Sequence, residues 1–523
     1  MNRPCTLKRR HFIAASTLPL LGCARAPDIA GGFTGASHER GHMLRDNRLW
    51  SKPTVLRKTD VLIAGGGVAG LAAARGLALR GVDFALLELE DAVGGNSRGG
   101  ALNAIRCPLG AHYLPLPGDD APAVQDLLEE LGLRQRVAGR WQYDERHLCH
   151  SPQERLFFNG AWQDGLLPLQ DVGPQTLAQY QKLSGLVEQH RKQSRWSIPT
   201  FGQPLDAAQR ALCAMTFAAY LTQQGLNDPH LRWYLDYCCR DDYGAGLASV
   251  SAWSGVHYFA SRHGFGAPGR ETQEREAVLT WPEGNGWLVE RIAAPLQQRL
   301  HPGQVVLRIA NVKHGVEVDT FNTATQTPQR WQARHAIVAL PLLVAARVIE
   351  DAPDFLRRAA AQTRYAPWLV ANIHITEALL DRPGAAPSWD NVLYGVPGLG
   401  YVDAMHQSLQ STSGATVLSY YRALGDVPDG RRLLLNRRWE AWRDEILAEL
   451  SLAHPDLARK TRRIDISRYG HAMAIPVPRQ MDQEPRQIPA HGRLSFAHGD
   501  WAGYSIFEEA FTLGHRAASR TQA

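Results

Sequence analysis

The segment that most constrains this chain runs from Asp60 to Glu88, DVLIAGGGVAGLAAARGLALRGVDFALLE. Val61, Leu62, Ile63 and Ala64 form a short continuous apolar run, as in a strand buried on both faces. Gly65, Gly67 and Gly70 follow at G-x-G-x-x-G spacing. The first permits a tight turn, the second leaves room for a pyrophosphate against the backbone, and the third lets the following helix approach the strand. Leu71, Ala74, Leu77 and Ala78 recur on one helical face, Gly81 stops the helix, and Phe84 to Leu87 read as a second strand ending on Glu88. That order is a βαβ dinucleotide-binding unit, with free amides of a helix N-terminus toward the phosphates and Glu88 toward a ribose. The acid alone does not separate FAD from NAD, since both carry the same adenosine ribose.

Two further segments bear on that choice. Asp91-Ala92-Val93-Gly94-Gly95-Asn96-Ser97-Arg98-Gly99-Gly100 follows the second strand, and Arg493-Leu494-Ser495-Phe496-Ala497-His498-Gly499-Asp500 lies near the C-terminus. With these the chain resembles the FAD-dependent amine oxidase, phytoene desaturase and protoporphyrinogen oxidase superfamily over roughly residues 59 to 518. The resemblance implies that Gly94 and Gly95 run along the pyrophosphate and that Gly499-Asp500 offers a carboxylate to the ribityl chain. It also implies a helix starting near Ser505, with the Phe507 backbone against the flavin; a helix N-terminus favours the charge which that flavin edge gains on reduction. Val305 to Ile309, Val316 to Val318 and Ala336 to Pro341 resemble the family's adenine-side hairpin and the strand returning to the flavin, which gives Val306 a backbone contact to adenine. The implied fold class is α/β, a Rossmann-like FAD-binding domain with an interleaved α+β substrate domain.

The expected division is 56–130 with 285–345 and 485–523 for the FAD domain, and 131–284 with 346–484 for the substrate or cap domain. Helical patterns over Ala121 to Leu131, Gln175 to Gln193, Asp206 to Tyr237 and Arg437 to Leu452 lie outside the nucleotide segments. Residues 24–55, polar and rich in Gly, Arg and His, read as a linker.

Residues 1–23 read as an export signal. Lys8-Arg9-Arg10-His11-Phe12-Ile13 and the short apolar stretch to Gly22 resemble a twin-arginine signal, and Leu20-Leu21-Gly22-Cys23 resembles a bacterial lipobox with Cys23 as the lipidated residue. A cut after Ala26 is the alternative, although it leaves Pro27 at the new terminus. The apolar part is too short and interrupted to span a bilayer. The reading places the protein in the bacterial periplasm, delivered by the twin-arginine machinery and held to a membrane by a lipid anchor only. The net charge of +6 comes largely from this leader: Arg3, Lys8, Arg9 and Arg10 face no acid within residues 1–22, leaving 53 basic against 51 acidic residues beyond it. Nothing in that balance suggests nucleic acid as a partner. Cys107, Cys149, Cys213, Cys238 and Cys239 show neither C-x-x-C spacing nor a disulfide framework, so no metal site is indicated. No cysteine lies near the C-terminal flavin segment, so FAD is expected to bind noncovalently.

Departures from the family pattern shape the chemical expectation. Where many amine oxidases place a lysine that holds water near flavin N5, the corresponding stretch is Tyr365 to Asn372, with Trp368 at that position. Asn96 follows the Gly-Gly pair in place of the usual arginine, and Arg98 lies two positions later, toward the pyrophosphate or solvated. His112, Trp368, His471 and Tyr504 are the substrate-pocket candidates, and Asp241-Asp242 is a feature able to attract a cation. No side chain is assigned as catalytic, because hydride transfer to flavin needs position and electrostatics more than an acid or base. The expected function is an exported FAD-dependent oxidoreductase taking hydride from a small organic substrate, an amine foremost, and passing electrons to oxygen or a quinone-like carrier. A desaturase-like enzyme for an apolar substrate and a non-catalytic flavin-binding envelope protein remain as alternatives; a long apolar tunnel would favour the first and a closed cavity the second. Replacing Arg9 and Arg10 with lysine is expected to leave the protein in the cytosol on cell fractionation; unchanged delivery would contradict the twin-arginine reading.

Overall fold

The computed structural model describes residues 28–46, 52–268, 277–408, 414–481 and 487–521. Arg9, Arg10 and the lipidation candidate Cys23 lie outside the described residues. Among those described, no helix is long and apolar enough to cross a membrane.

The strand Val55–Ala64 is central to a seven-stranded sheet, because its apolar half leaves no polar face to expose. It lies parallel to Phe84–Leu87 on one side and to Thr327–Val338 on the other. Leu300–His301 extends the sheet beyond Phe84–Leu87, and the antiparallel strands Gly315–Asn322 and Gln304–Val312 extend it beyond Thr327–Val338. Leu494–Phe496 pairs parallel with the end of that last strand, Ala336 to Val338. The hairpin and the returning strand thus stand where the sequence places them, and the α/β class holds.

Two helices cover this sheet side by side, Val68–Leu79 from the glycine turn and the C-terminal Phe507–Arg520. Glycine sets their spacing. A Cβ at Gly514 would lie 2.0 Å from the Ala69 carbonyl oxygen, and one at Gly76 would lie 2.9 Å from the Ala518 Cβ. A Cβ at Gly70 would meet the Gly65 carbonyl oxygen at 1.9 Å, so the third motif glycine seats the helix on its own turn.

A second large sheet has eight strands, in the order Ala30–Thr34, Thr461–Ile475, Arg364–Ile375, Thr416–Ala423, Tyr401–Asp403, Asp390–Leu393, Glu154–Phe158 and Ala161–Asp164. The strand Arg364–Ile375 is buried along all but its first residue because both faces are covered. Ala366, Trp368 and Val370 join one core with the helices between Pro174 and Ala260. Leu369, Ala371, Ile373 and Ile375 join another with Trp442, Ile446 and Leu450 of the helix Trp439–Leu450.

Two sequence readings differ from the structure. The pattern over Asp206 to Tyr237 is three helices, Ala207–Cys213, Phe217–Gln223 and Pro229–Tyr243. Thr216 and Asp228 cap the second and third through their side chains, and those caps break the run. The stretch read as a linker contains the strand Ala30–Thr34 and the helix His38–Arg45. Its pairing with residues 463–467 supplies backbone partners that composition does not reveal.

Gly514→Leu is expected to cost at least about 2 kcal/mol in thermal or denaturant unfolding, since the carbonyl it meets is fixed backbone. The exposed Ser519→Ala on the same helix should stay within about 0.5 kcal/mol.

Candidate active site

One continuous cavity of about 500 Å³ runs between the two large sheets. Its lining brings together Gly65, Gly67, Glu88, Gly94, Gly95, Asn96, Val306, Gly499, Asp500 and Phe507, drawn from four separated parts of the chain, with the pocket candidates His112, Trp368 and His471. Gly70 stands behind the wall as the helix seat. Arg98 is also behind it, 9% exposed, with its guanidinium 3.8 Å from Glu90 and its Nε without a hydrogen-bond partner. It is therefore not a solvated arginine, and the cavity lining does not include it. Tyr504 faces a separate small cavity with Thr200, Ser251 and Trp253 and donates its hydroxyl to Glu509 at 3.1 Å.

The glycine end is a cradle of bare backbone. Gly65 has φ +103°, and a Cβ there would sit 2.4 Å from the Ala339 carbonyl oxygen. Gly95 has φ +55° and is packed so that a Cβ would come within 3.2 Å of the Gly67 Cα. The two glycine segments, separated in the chain by a helix and a strand, thus lie against each other. Glu88 accepts from the Gly66 N–H at 2.8 Å and, through its other oxygen, from the Glu90 N–H at 2.8 Å. Burial pushes its carboxyl above the usual range, although both amides and Arg98 act the other way.

Asp500 lies where the two sheets meet. Its Oδ2 accepts from the Leu342 N–H at 3.1 Å, just past the seven-stranded sheet, and from the hydroxyl of Tyr365 on the eight-stranded sheet. His498 Nδ1 lies 3.2 Å from its Oδ1. Burial opposes the charge, but His498, Tyr365 and the Leu342 amide outweigh it and hold the carboxyl below its ordinary value. A carboxylate has lone pairs to spare beyond these contacts and remains an acceptor toward the cavity.

The other end of the cavity is aromatic and acidic. His112 stacks on Tyr421 with centroids 4.4 Å apart and lies 5.5 Å from Trp389. Burial among these rings lowers its pKa to about 4, so the imidazole is neutral at physiological pH. Trp368 enters from the strand Arg364–Ile375, beside a register shift between Ala366 and Trp368. Asp241 and Asp242 from the helix Pro229–Tyr243, Arg262, and Glu508 from the C-terminal helix complete this end. Asp242 and Arg262 form a buried pair at 3.0 Å. Burial, with Asp242 adding to it, raises Asp241 to about 7, and burial raises Glu508 to about 7.

Asp241-Asp242 was visible in the sequence as a charged pair, and Glu508 sits beside the quoted Phe507. Arg262, Tyr365 and Tyr421 carried no local signal: each reaches the cavity only through the pairing of distant strands or the packing of helices.

Backbone bare of side chains at the glycine end, two carboxyl groups placed for sugar hydroxyls, and a cavity that continues to an aromatic pocket fit a flavin dinucleotide. Residues 68–521 match the family model of the flavin containing amine oxidoreductases, and the chain belongs to that family. It is an oxidoreductase whose cofactor is FAD. Among curated relatives, an L-amino acid dehydrogenase from Synechocystis sp. is 25% identical over 303 residues, 56% of this chain and 58% of that protein. An NADH:acrylate oxidoreductase from Vibrio harveyi is 33% identical over 107 residues, 20% of this chain. The chain thus spans 58% and 10% of the lengths of these two relatives. Among solved structures, putrescine oxidase bound to putrescine superposes with a TM-score of 0.65 at 17% identity, covering 89% of this chain and 99% of the other. Cyclohexylamine oxidase from Brevibacterium oxydans IH-35A gives 0.64 at 18% identity, covering 88% and 98%. These likenesses are likenesses of fold.

Asp500→Ala is expected to destabilise the apoprotein by about 2–4 kcal/mol, because the buried Leu342 N–H and Tyr365 hydroxyl both lose their acceptor. Since the folded carboxyl titrates below the unfolded value of about 3.9, its stabilisation is complete above that pH and is lost as pH falls through the folded pKa. Urea unfolding of wild type and variant should therefore converge in strong acid and diverge at neutral pH.

Proposed function

We propose that the chain is an amine dehydrogenase of the cell envelope, in which FAD lies noncovalently along the glycine end and a small cationic amine enters the acidic end. The observation that carries this reading is the charge of the pocket: Asp241, Asp242 and Glu508 stand against one guanidinium, Arg262, within a wall of Tyr421, Trp368, Tyr113 and His112. Such a site favours a monocation through charge and through aromatic faces. An apolar desaturase substrate would leave Asp241 and Glu508 desolvated with no cation of their own to face, since Arg262 is already paired with Asp242. The continuity of the cavity from Gly65 to Asp241 speaks against a closed, purely binding flavoprotein.

In this reading Gly65, Gly67, Gly94 and Gly95 admit the pyrophosphate, Glu88 accepts from the ribose, the Val306 backbone meets adenine, and Asp500 meets the ribityl chain. Asn96, whose amide is held by the Ala472 carbonyl, borders the pyrophosphate. The amide end of the helix Phe507–Arg520 faces the flavin edge that gains negative charge. When bound, FAD supplies a hydride acceptor for the C–H bond next to nitrogen. The chain's own contribution is to make the nitrogen lone pair available. Asp241, when ionised, takes a proton from the substrate ammonium, while neutral His112 and Tyr421 hold the carbon skeleton. Trp368 occupies the place where a lysine would hold water for oxygen chemistry, which supports a quinone-like electron acceptor over dioxygen. The twin-arginine leader and lipidated Cys23 complete the reading as a periplasmic enzyme tethered by its first mature residue.

Anaerobic mixing with monoamines, diamines, amino acids and isoprenoids, followed by flavin absorbance, tests this assignment. Bleaching by amines is the expected result; bleaching by isoprenoids alone would overturn it. For amine oxidation, kcat/KM should rise as pH rises through about 7, because below that pH Asp241 already holds its proton. Asp241→Asn should flatten that limb and lower kcat/KM by about a hundredfold with flavin content unchanged. An unaltered pH profile in the variant would remove Asp241 from the reaction.

A further inference from the structure

Residues 28–46 precede the span that matches the family model, yet they form part of the cavity wall. Gly41 and Leu44, on the helix His38–Arg45, line the cavity beside Glu88, Leu89, Val306 and Val344. Leu44 also packs against the core that contains Val306 and Val338.

The segment is fastened at both ends. Upstream, Ala30–Thr34 adds a parallel edge strand to residues 463–467, and Ile29 is buried in the core behind it. Gly31 has φ +143°, and a Cβ there would lie 1.9 Å from the Ile464 carbonyl oxygen, so the strand docks only as glycine permits. Downstream, the helix grips the three residues that follow Glu88. The Ser37 N–H donates to Glu90 Oε1 at 2.8 Å, and Arg40 donates to the Leu89 carbonyl at 3.1 Å and pairs with Asp91 at 2.7 Å. Arg347 donates to the Arg45 carbonyl at 3.0 Å, tying the far end to the helix Leu342–Val348.

These contacts fix Gly41 and Leu44 over the end of the cavity that holds Glu88 and Val306. We infer that residues 30–45 are a strap that closes the cavity over the adenosine half of FAD and sets the rate at which the noncovalent cofactor leaves. The inference rests on the placement of FAD proposed above. The strap is fastened to Leu89, Glu90 and Asp91, next to Glu88, and acts on retention of the dinucleotide and not on the amine.

The test uses the FAD-loaded full chain. Release is followed by the rise of free-FAD fluorescence after rapid dilution of the loaded chain into buffer, and strap docking by hydrogen exchange of residues 30–45. Gly31→Val unseats the edge strand, and the paired variant Arg40→Ala/Asp91→Ala removes the Arg40 contacts of the grip behind Glu88 without altering the cavity wall. Both are expected to expose the segment to exchange and to release FAD at least tenfold faster, while the exposed Glu39→Ala releases it at the wild-type rate. Should Gly31→Val fail to fold, the paired variant decides alone. Exposure of residues 30–45 to exchange with FAD release unchanged would overturn the strap. Residues 30–45 still protected in both variants, with release unchanged, would overturn it equally, because the contacts named here would then not be what holds the segment down. Asp500→Ala separates the two proposals: faster release there with unchanged release in the strap variants sinks the strap alone, and unchanged release in all of them sinks the placement of FAD.

Discussion

Asp500 is the constraint on which the rest of the molecule turns. One carboxylate oxygen is shared by the amide of Leu342, which follows the dinucleotide sheet, and the hydroxyl of Tyr365, which belongs to the other sheet. A buried charge survives only where donors surround it, and here the donors come from both sheets. The same atom group therefore joins the sheets, fixes the width of the cavity between them, and stays charged toward whatever occupies it. His498, two residues earlier, adds to that balance.

From this junction the cavity acquires two unlike ends. Toward the strand Val55–Ala64 the wall is backbone, because glycines at 65, 67, 94 and 95 leave amides uncovered. Toward the helices Pro229–Tyr243 and Phe507–Arg520 the wall is carboxyl and aromatic. Burial lifts Asp241 and Glu508 to about 7, so that end changes charge near neutrality. The helix Phe507–Arg520 serves both: its first turn faces the cavity, and its Gly514 packs it against the helix of the glycine turn.

Much of the dinucleotide sheet was legible in the sequence because its signals are local: an apolar strand, a glycine turn, a helix and an acid within thirty residues. The hairpin and returning strand were legible by alternation and order. The acidic pocket was half legible. Asp241-Asp242 announced charge, but nothing near Arg262, Tyr365 or Tyr421 in sequence says that strand pairing carries them to one place. The segment 28–46 was illegible for a different reason. Its polar composition is that of a spacer, and its edge strand is stabilised by backbone partners some 430 residues away, at 463–467. Tyr504 illustrates the converse, a residue adjacent to the flavin segment that turns away to satisfy Glu509.

The most direct measurement is a crystal structure of the chain with FAD and a slowly reacting monoamine. The account predicts adenine beside Val306 under Leu44, the pyrophosphate along the backbone of Gly65 to Gly67 and Gly94 to Gly95, and the amine nitrogen within hydrogen-bonding distance of Asp241. Flavin electron density outside this cavity, or an amine held away from Asp241 with its nitrogen toward solvent, would contradict it.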